Sequence, residues 1–244
     1  MNKSLILKNF ILDLLFPKFC LGCKTEGAYL CEDCKSLLDI SEFNYCLCET
    51  KPIRISLGVQ KGKCQRCQDK KLDGLYFALP YKEKSLTRKL VRQFKYSPYL
   101  KDLAKPIALL LAEHFIKTNK NTDEIWDNGI LVPVPLHKKK LKERGYNQSQ
   151  ELAKELSKIV KVPVVLDVLI KIKSTPSQIG LKKEQRQENL TGAFQIKNPA
   201  EIAGKKVFLV DDVYTTGSTM EECAKTLKKS GAKSVFGIAI AREG

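Results

Sequence analysis

A chain of 244 residues has room for one substantial core and one smaller module. Its 43% hydrophobic content excludes wholesale disorder, and 29% charged residues suit a soluble protein with a strongly basic net charge of +16. The charge is uneven: residues 1–74 carry 12 Lys/Arg against 9 Asp/Glu and residues 75–244 carry 31 against 18, so the basic surface belongs to the C-terminal part.

Leu5, Ile6, Phe10, Ile11, Leu14 and Leu15 recur at helical spacing and predict an amphipathic helix over residues 1–18, packed on its own domain. Lys8 and Asp13 interrupt this stretch and no small-residue cleavage site follows, so it reads as neither a membrane span nor a signal peptide. Cytoplasmic residence is the expectation. Eight of the nine cysteines then fall between positions 20 and 67, as Cys20-x2-Cys23, Cys31-x2-Cys34, Cys46-x-Cys48 and Cys64-x2-Cys67. Paired thiols on tight turns, two pairs to an ion, are the donor set of structural Zn²⁺. Gly22 supplies the tight turn inside the first pair. A disulfide framework and an iron–sulfur cluster draw on similar spacings, and the missing leader weighs against the former. No catalysis is expected of such sites. Cys223 stands apart, on a predicted helix, as a buried core thiol.

Residues 75–79 predict a short strand and residues 81–96 a helix with Leu86, Leu90 and Phe94 on one face and Lys84, Arg88, Lys89, Arg92 and Lys95 over the rest. Tyr81, Tyr96 and Tyr99 flank it; basic residues with aromatic neighbours can track and stack a single nucleic-acid strand, and a solvated helix face is the alternative. A further helix spans residues 103–117, with His114 as a capping or surface residue near its end. Ile130 to Pro135 is a β run stopped by two prolines, followed by a basic segment and a helix from Ser149 to Val160. The turn Pro135, Leu136, His137, Lys138 offers backbone N–H groups and charge to a pyrophosphate, and otherwise reads as a basic loop.

The most informative segment is Val207 to Thr219, Val-Phe-Leu-Val-Asp-Asp-Val-Tyr-Thr-Thr-Gly-Ser-Thr. Four β-favouring apolar residues suit a buried parallel strand, which sets Asp211 and Asp212 at the carboxyl end, where open α/β sheets bind ligands. There two carboxylates can accept from a sugar diol. The hydroxyl-rich turn opens a helix, whose free N–H groups and dipole favour an anion. Acids for a ribose beside a cradle for its phosphate predict a ribose-5-phosphate site. No Gly-Lys-Ser/Thr occurs in the turn, so it is not a Walker P-loop.

This string resembles the 5-phosphoribosyl-1-pyrophosphate (PRPP) motif of the type I phosphoribosyltransferases. The resemblance implies that Asp211 and Asp212 hold the ribose hydroxyls as the catalytic pair, and that Val213, Tyr214, Thr215, Thr216, Gly217, Ser218 and Thr219 wrap the 5-phosphate. Lys173 to Asn189 is similar to the loop that closes over PRPP in those enzymes, with Lys183 and Arg186 covering the pyrophosphate and Mg²⁺ neutralising it. Val132-Pro-Val-Pro-Leu-His137, Arg144-Gly-Tyr-Asn-Gln148, Thr175-Pro-Ser-Gln178 and Gly192-Ala-Phe194 occur in the order seen in the ComF family of competence proteins. The cysteine pairs resemble the double zinc ribbon of that family, although Cys46-Leu-Cys48 departs from Cys-x2-Cys. The implied fold is α/β: a type I phosphoribosyltransferase core, a mostly parallel sheet flanked by helices, over residues 75–244, preceded by a zinc-ribbon module over residues 19–72. The implied setting is natural transformation, with PRPP, single-stranded DNA and other competence proteins as partners. Two functional classes fit: a transferase, for which no residue marks the acceptor, and a DNA-binding factor that senses PRPP without turnover.

Overall fold

The computed structural model describes residues 16–55, 62–96, 100–118, 122–174 and 189–243. The predicted N-terminal helix, Tyr99 and the loop residues Lys183 and Arg186 lie outside that set. The centre of the molecule is a four-stranded, all-parallel sheet of β3 (Gly74–Pro80), β4 (Gly129–Pro133), β7 (Lys206–Tyr214) and β8 (Ser234–Arg242), in the order β3-β8-β7-β4. A strand flanked on both sides in such a sheet, with both faces covered, must be apolar throughout. Val207, Phe208, Leu209 and Val210 of β7 are all fully buried, as the run of four predicted.

On one face lie α2 (Leu86–Lys95), α3 (Ala104–Thr118) and α6 (Gln148–Val160), with Leu90, Phe94, Leu111 and Leu152 in one core. On the other, α7 (Ser218–Lys229) and the antiparallel pair β5 (Leu169–Lys171) and β6 (Phe194–Ile196) cover Leu209 and Val235. Caps explain where the helices begin. Ser85 accepts from Arg88 N–H at 3.2 Å ahead of α2, and Asn147 accepts from Ser149 N–H at 3.1 Å ahead of α6.

The cysteine module, with α1 (Glu32–Ser36), β1 (Asn44–Tyr45) and β2 (Arg54–Ile55), sits at the β3 edge and feeds both cores. Cys20, Leu30, Cys34 and Ile40 join the first core; Cys46, Leu47, Cys67 and Leu72 join the second. Ser41 N–H donates to Ala78 O of the edge strand at 2.8 Å.

Two expectations are corrected. The basic segment after the prolines contains a helix, α5 (Lys138–Arg144), closed by Gly145 at φ 80°, a left-handed conformation that glycine adopts without penalty. His114 is neither a cap nor a surface residue: it is fully buried, its Nδ1–H donating to Ser41 O at 2.7 Å, and burial pushes its pKa down to about 4. Cys223 is fully buried, as expected.

A chain of rings crosses the first core, Phe115 to Trp126 at 4.6 Å, Trp126 to Phe208 at 4.6 Å and Phe208 to Phe236 at 5.9 Å. Phe208→Ala empties its middle, and an expected loss of about 3–5 kcal/mol of unfolding free energy is measurable by urea denaturation.

Candidate functional site

β7 outlasts its β4 neighbour. Val134 N–H donates to Val210 O at 2.8 Å, after which β4's chain turns away at Pro135 while β7 continues into the two acids. Asp211 and Asp212 thus stand at the carboxyl end of the sheet.

Both acids are held from two helix ends. Asp212 is 2% exposed; its Oδ2 accepts from Gln148 Nε2 at 2.9 Å, and its Oδ1 from Lys95 Nζ at 3.1 Å. Asp211 Oδ1 accepts from Ser149 Oγ and from Asp212 N–H, each at 2.9 Å. The first residues of α6 therefore deliver Gln148 and Ser149, and the last residue of α2 delivers Lys95. Burial, reinforced by the Asp212 charge, pushes the Asp211 carboxyl up to about 7 against the opposing pull of Lys95. Desolvation pulls the Lys95 ammonium down, but Asp212 and Asp211 outweigh it and hold it above the usual lysine value. Lys140 of α5 and Lys171 of β5 are both lowered, first by burial; Lys140 then feels Arg144 and Lys95, and Lys171 feels Lys140. Lys95 and Lys171 thus both feel the Asp211 charge, and Lys140 stands close enough to feel Lys95.

Sequence reasoning missed Lys95, Gln148 and Ser149 as site residues. Their signal lay in Arg144-Gly-Tyr-Asn-Gln148. Asn147 caps α6 and donates to Val134 O at 3.0 Å; Arg144 donates to Gln148 Oε1, leaving the Gln148 amide nitrogen for Asp212. Tyr146 donates its hydroxyl to Phe94 O, one residue before Lys95.

The turn after β7 is compact. Thr216 Oγ1 and Ser218 Oγ lie 2.9 Å apart, Ser218 opens α7, and Gly217 takes φ 75°. A Cβ on Gly217 would stand 2.4 Å from the Tyr214 hydroxyl oxygen, so no other residue fits without displacing that ring. Gly217→Ala is expected to cost about 1–3 kcal/mol and to spoil the turn, seen as a lower melting temperature and loss of phosphate-ligand binding. Tyr214 itself is 2% exposed and turned towards the cysteine module. Thr215, Thr216, Ser218 and Thr219 are half-buried.

Pro135, Leu136 and His137 are half-buried where the β4 chain leaves the sheet, and Lys138 is exposed. The His137 ring accepts from Lys139 N–H at 3.3 Å and so caps its own helix.

Cys20, Cys23, Cys31 and Cys34 form one quartet and Cys46, Cys48, Cys64 and Cys67 another, with the sulfurs of each within 4.8 Å of one another. Cys23 to Cys31 is 3.6 Å, Cys48 to Cys64 3.4 Å and Cys64 to Cys67 3.7 Å, close to the roughly 3.8 Å that tetrahedral Zn–S bonds of about 2.3 Å require. Both quartets can hold zinc, and the short Cys46-Leu-Cys48 spacing does not keep the second from closing. Cys46 Sγ accepts from Ile53 N–H at 3.3 Å, and Cys64 N–H donates to Cys67 Sγ at 3.2 Å, the outer contacts expected of thiolate ligands. No helix among the described residues is long and apolar enough to cross a membrane.

Residues 143–243, from the end of α5 through β8, match the family model described as "Phosphoribosyl transferase domain". The chain is 33% identical over 148 residues to "Competence protein F" of Haemophilus influenzae, covering 60% of this chain and 63% of that one. It is 31% identical over 147 residues to "DNA utilization protein YhgH" of Escherichia coli K12, again covering 60% and 63%. With "Competence protein ComFC" of Bacillus subtilis it shares 34% identity over 115 residues, 46% of this chain and 44% of that one. The matched region spans less than two thirds of the length of each of these relatives. The parallel sheet, the acids and hydroxyl turn at the end of β7 and these likenesses agree: residues 143–243 match a phosphoribosyl transferase domain, and the chain is similar over more than half its length to proteins named for competence and DNA utilization.

Proposed function

We propose that this protein binds PRPP at the carboxyl end of β7 and acts in the handling of transforming DNA as a phosphoribosyltransferase-like member of the ComF family of competence proteins. The observation that carries the reading is the acid pair, Asp212 buried and Asp211 half-buried, pre-oriented by Gln148, Ser149 and Lys95, beside a hydroxyl turn at the N-terminus of a 12-residue helix.

Each residue has a chemical task. Asp211 Oδ1 is taken by Ser149 and by Asp212 N–H, which leaves Oδ2 to accept from a ribose hydroxyl. Asp212 sets that geometry and anchors Lys95, whose ammonium stands where positive charge steadies a departing pyrophosphate. The N–H groups of residues 215–219, with the Thr216 and Ser218 hydroxyls, receive the 5-phosphate. The turn Pro135, Leu136, His137, Lys138 lines the pyrophosphate side, and the family resemblance assigns Lys183 and Arg186, which lie outside the described residues, to the same group. Mg²⁺ would be carried in on the phosphates of the ligand, whose oxygens are the hard donors it prefers. When bound, it neutralises the leaving pyrophosphate. Zn²⁺ in the cysteine module, residues 19–72, is structural.

A second reading, a single-stranded DNA-binding factor that holds PRPP without turnover, draws on the basic excess of residues 75–244 and on Arg88, Lys89 and Arg92, exposed along α2. It predicts affinity for an oligonucleotide that falls steeply with salt and weakens when Lys138, Lys139 and Lys140 are neutralised. The deciding assay is pyrophosphate release from PRPP with Mg²⁺, using nucleobases and single-stranded DNA as acceptors. Saturable release, absent in the acid-pair variant, establishes transfer; PRPP binding without release under any acceptor overturns it in favour of the second reading.

A further inference from the structure

The second cysteine quartet lies directly beneath the phosphate turn. The peptide carbonyls of its first pair, Cys46, Leu47 and Cys48, are the acceptors of the contact. Arg242, 3% exposed at the end of β8, donates Nη1–H to Cys46 O at 2.8 Å and Nη2–H to Cys48 O. Its register partner across the sheet is Tyr214, and its guanidinium lies 5.6 Å from that ring's centre. Tyr214 donates its hydroxyl to Leu47 O at 3.4 Å and accepts from Lys70 Nζ at 3.3 Å, while Lys70 also donates to Leu47 O at 2.9 Å. Lys70 follows Cys67 by three residues, so both halves of the quartet meet at this one hydroxyl.

That hydroxyl is also what fixes Gly217, which rests on it so closely that a Cβ would overlap. A second tie runs to the start of α7, where the Glu221 carboxylate accepts from Lys71 N–H and, at 3.1 Å, from Leu72 N–H. The carbonyls that hold Tyr214 and Arg242 belong to a loop of short strands and turns, and what fixes that loop is its four sulfurs converging on one point. Without an ion there, the buried guanidinium and the tyrosine lose a defined set of acceptors, and the turn above loses its floor.

We propose that the second quartet and the phosphate turn are one cooperative unit: Tyr214, Lys70 and Arg242 act as positioning residues, and metal at Cys46, Cys48, Cys64 and Cys67 strengthens anion binding at residues 215–219. The inference rests on the ribose-5-phosphate reading of that turn. Reciprocity then requires the anion to tighten zinc at the second quartet by the same factor. The first quartet packs in the opposite core, against α2 and α3, and serves as an internal reference.

The experiment uses the full zinc-loaded protein equilibrated with graded amounts of a zinc-selective chelator, with and without saturating PRPP and Mg²⁺. Each quartet is read by pulse alkylation and mass spectrometry, Cys64 and Cys67 reporting the second and Cys23 and Cys31 the first. The expected result is that PRPP raises the chelator concentration needed to expose Cys64 and Cys67 by about fivefold or more and leaves Cys23 and Cys31 nearly unchanged. Tyr214→Phe and Lys70→Met each reduce that shift. Equal shifts at both quartets, or no shift while calorimetry shows PRPP bound, overturn the inference and leave the PRPP reading standing. Absence of PRPP binding in the calorimeter overturns the reading itself and the inference with it.

Discussion

The double variant Asp211→Asn, Asp212→Asn is expected to lose PRPP affinity by at least about 100-fold, measured by calorimetry, while keeping its parallel-sheet fold. The hydrogen bond from a ribose hydroxyl to Asp211 contributes about 1.5–3 kcal/mol, and release of the Lys95 ammonium that Asp212 anchors adds to it, so together they exceed the roughly 2.7 kcal/mol that a hundredfold represents. The fold survives because an amide oxygen can still accept from Ser149, Asp212's backbone N–H and Gln148. Stability separates the two positions. Asp212→Asn leaves the Lys95 ammonium without its partner and is expected to cost about 2 kcal/mol.

Asp211→Asn behaves oppositely. Its carboxyl rises from 3.8 to about 7 in the folded protein, so its contribution to stability is fully present below about pH 4 and is lost as pH rises through 7. At pH 8 the wild type carries a buried charge next to another, and the variant does not. The melting temperature of Asp211→Asn relative to wild type should therefore rise between pH 5 and pH 8, even as ligand affinity collapses. A site residue whose removal stabilises the fold is held there for its chemistry.

Zinc removal has the second large effect. Cys20, Cys34, Cys46 and Cys67 are buried within the two cores that flank the sheet, two in each. Metal bound at a structural quartet contributes about 10–16 kcal/mol of apparent binding free energy, comparable to the whole net stability of a domain. The protein as isolated is expected to hold two zinc ions per chain. Chelation should lower the melting temperature by at least about 10 °C, with restoration on adding Zn²⁺. An unchanged melting curve after both ions are shown to be gone would refute a structural role.

Much of this was legible in the sequence because the signals were local. Val207 to Thr219 compresses strand, acids, turn and helix start into one string, and the periodicity of residues 103–117 placed α3. What escaped were contacts between distant segments. Lys95 read as one more cation on an amphipathic helix, because nothing local shows that α2 ends 3.1 Å from an acid 117 residues away. Gln148 and Ser149 looked like the ordinary start of a helix. His114 was misread because its partner, Ser41 O, lies 73 residues upstream in the cysteine module. Tyr214 belonged by position to the phosphate segment, but the side chain points to the module, a fact set by how the ribbon docks. The Lys138–Arg144 helix was obscured by three consecutive lysines that carry no apolar face, and all seven of its residues are at least partly exposed.

The central claim is that the end of β7 takes ribose 5-phosphate. Calorimetric titration of the wild-type, zinc-loaded protein with PRPP and Mg²⁺ tests it most directly. A single saturable site per chain is expected, competed by ribose 5-phosphate and not by ribose. No heat of binding, or binding that the Asp211→Asn, Asp212→Asn variant retains in full, would contradict it.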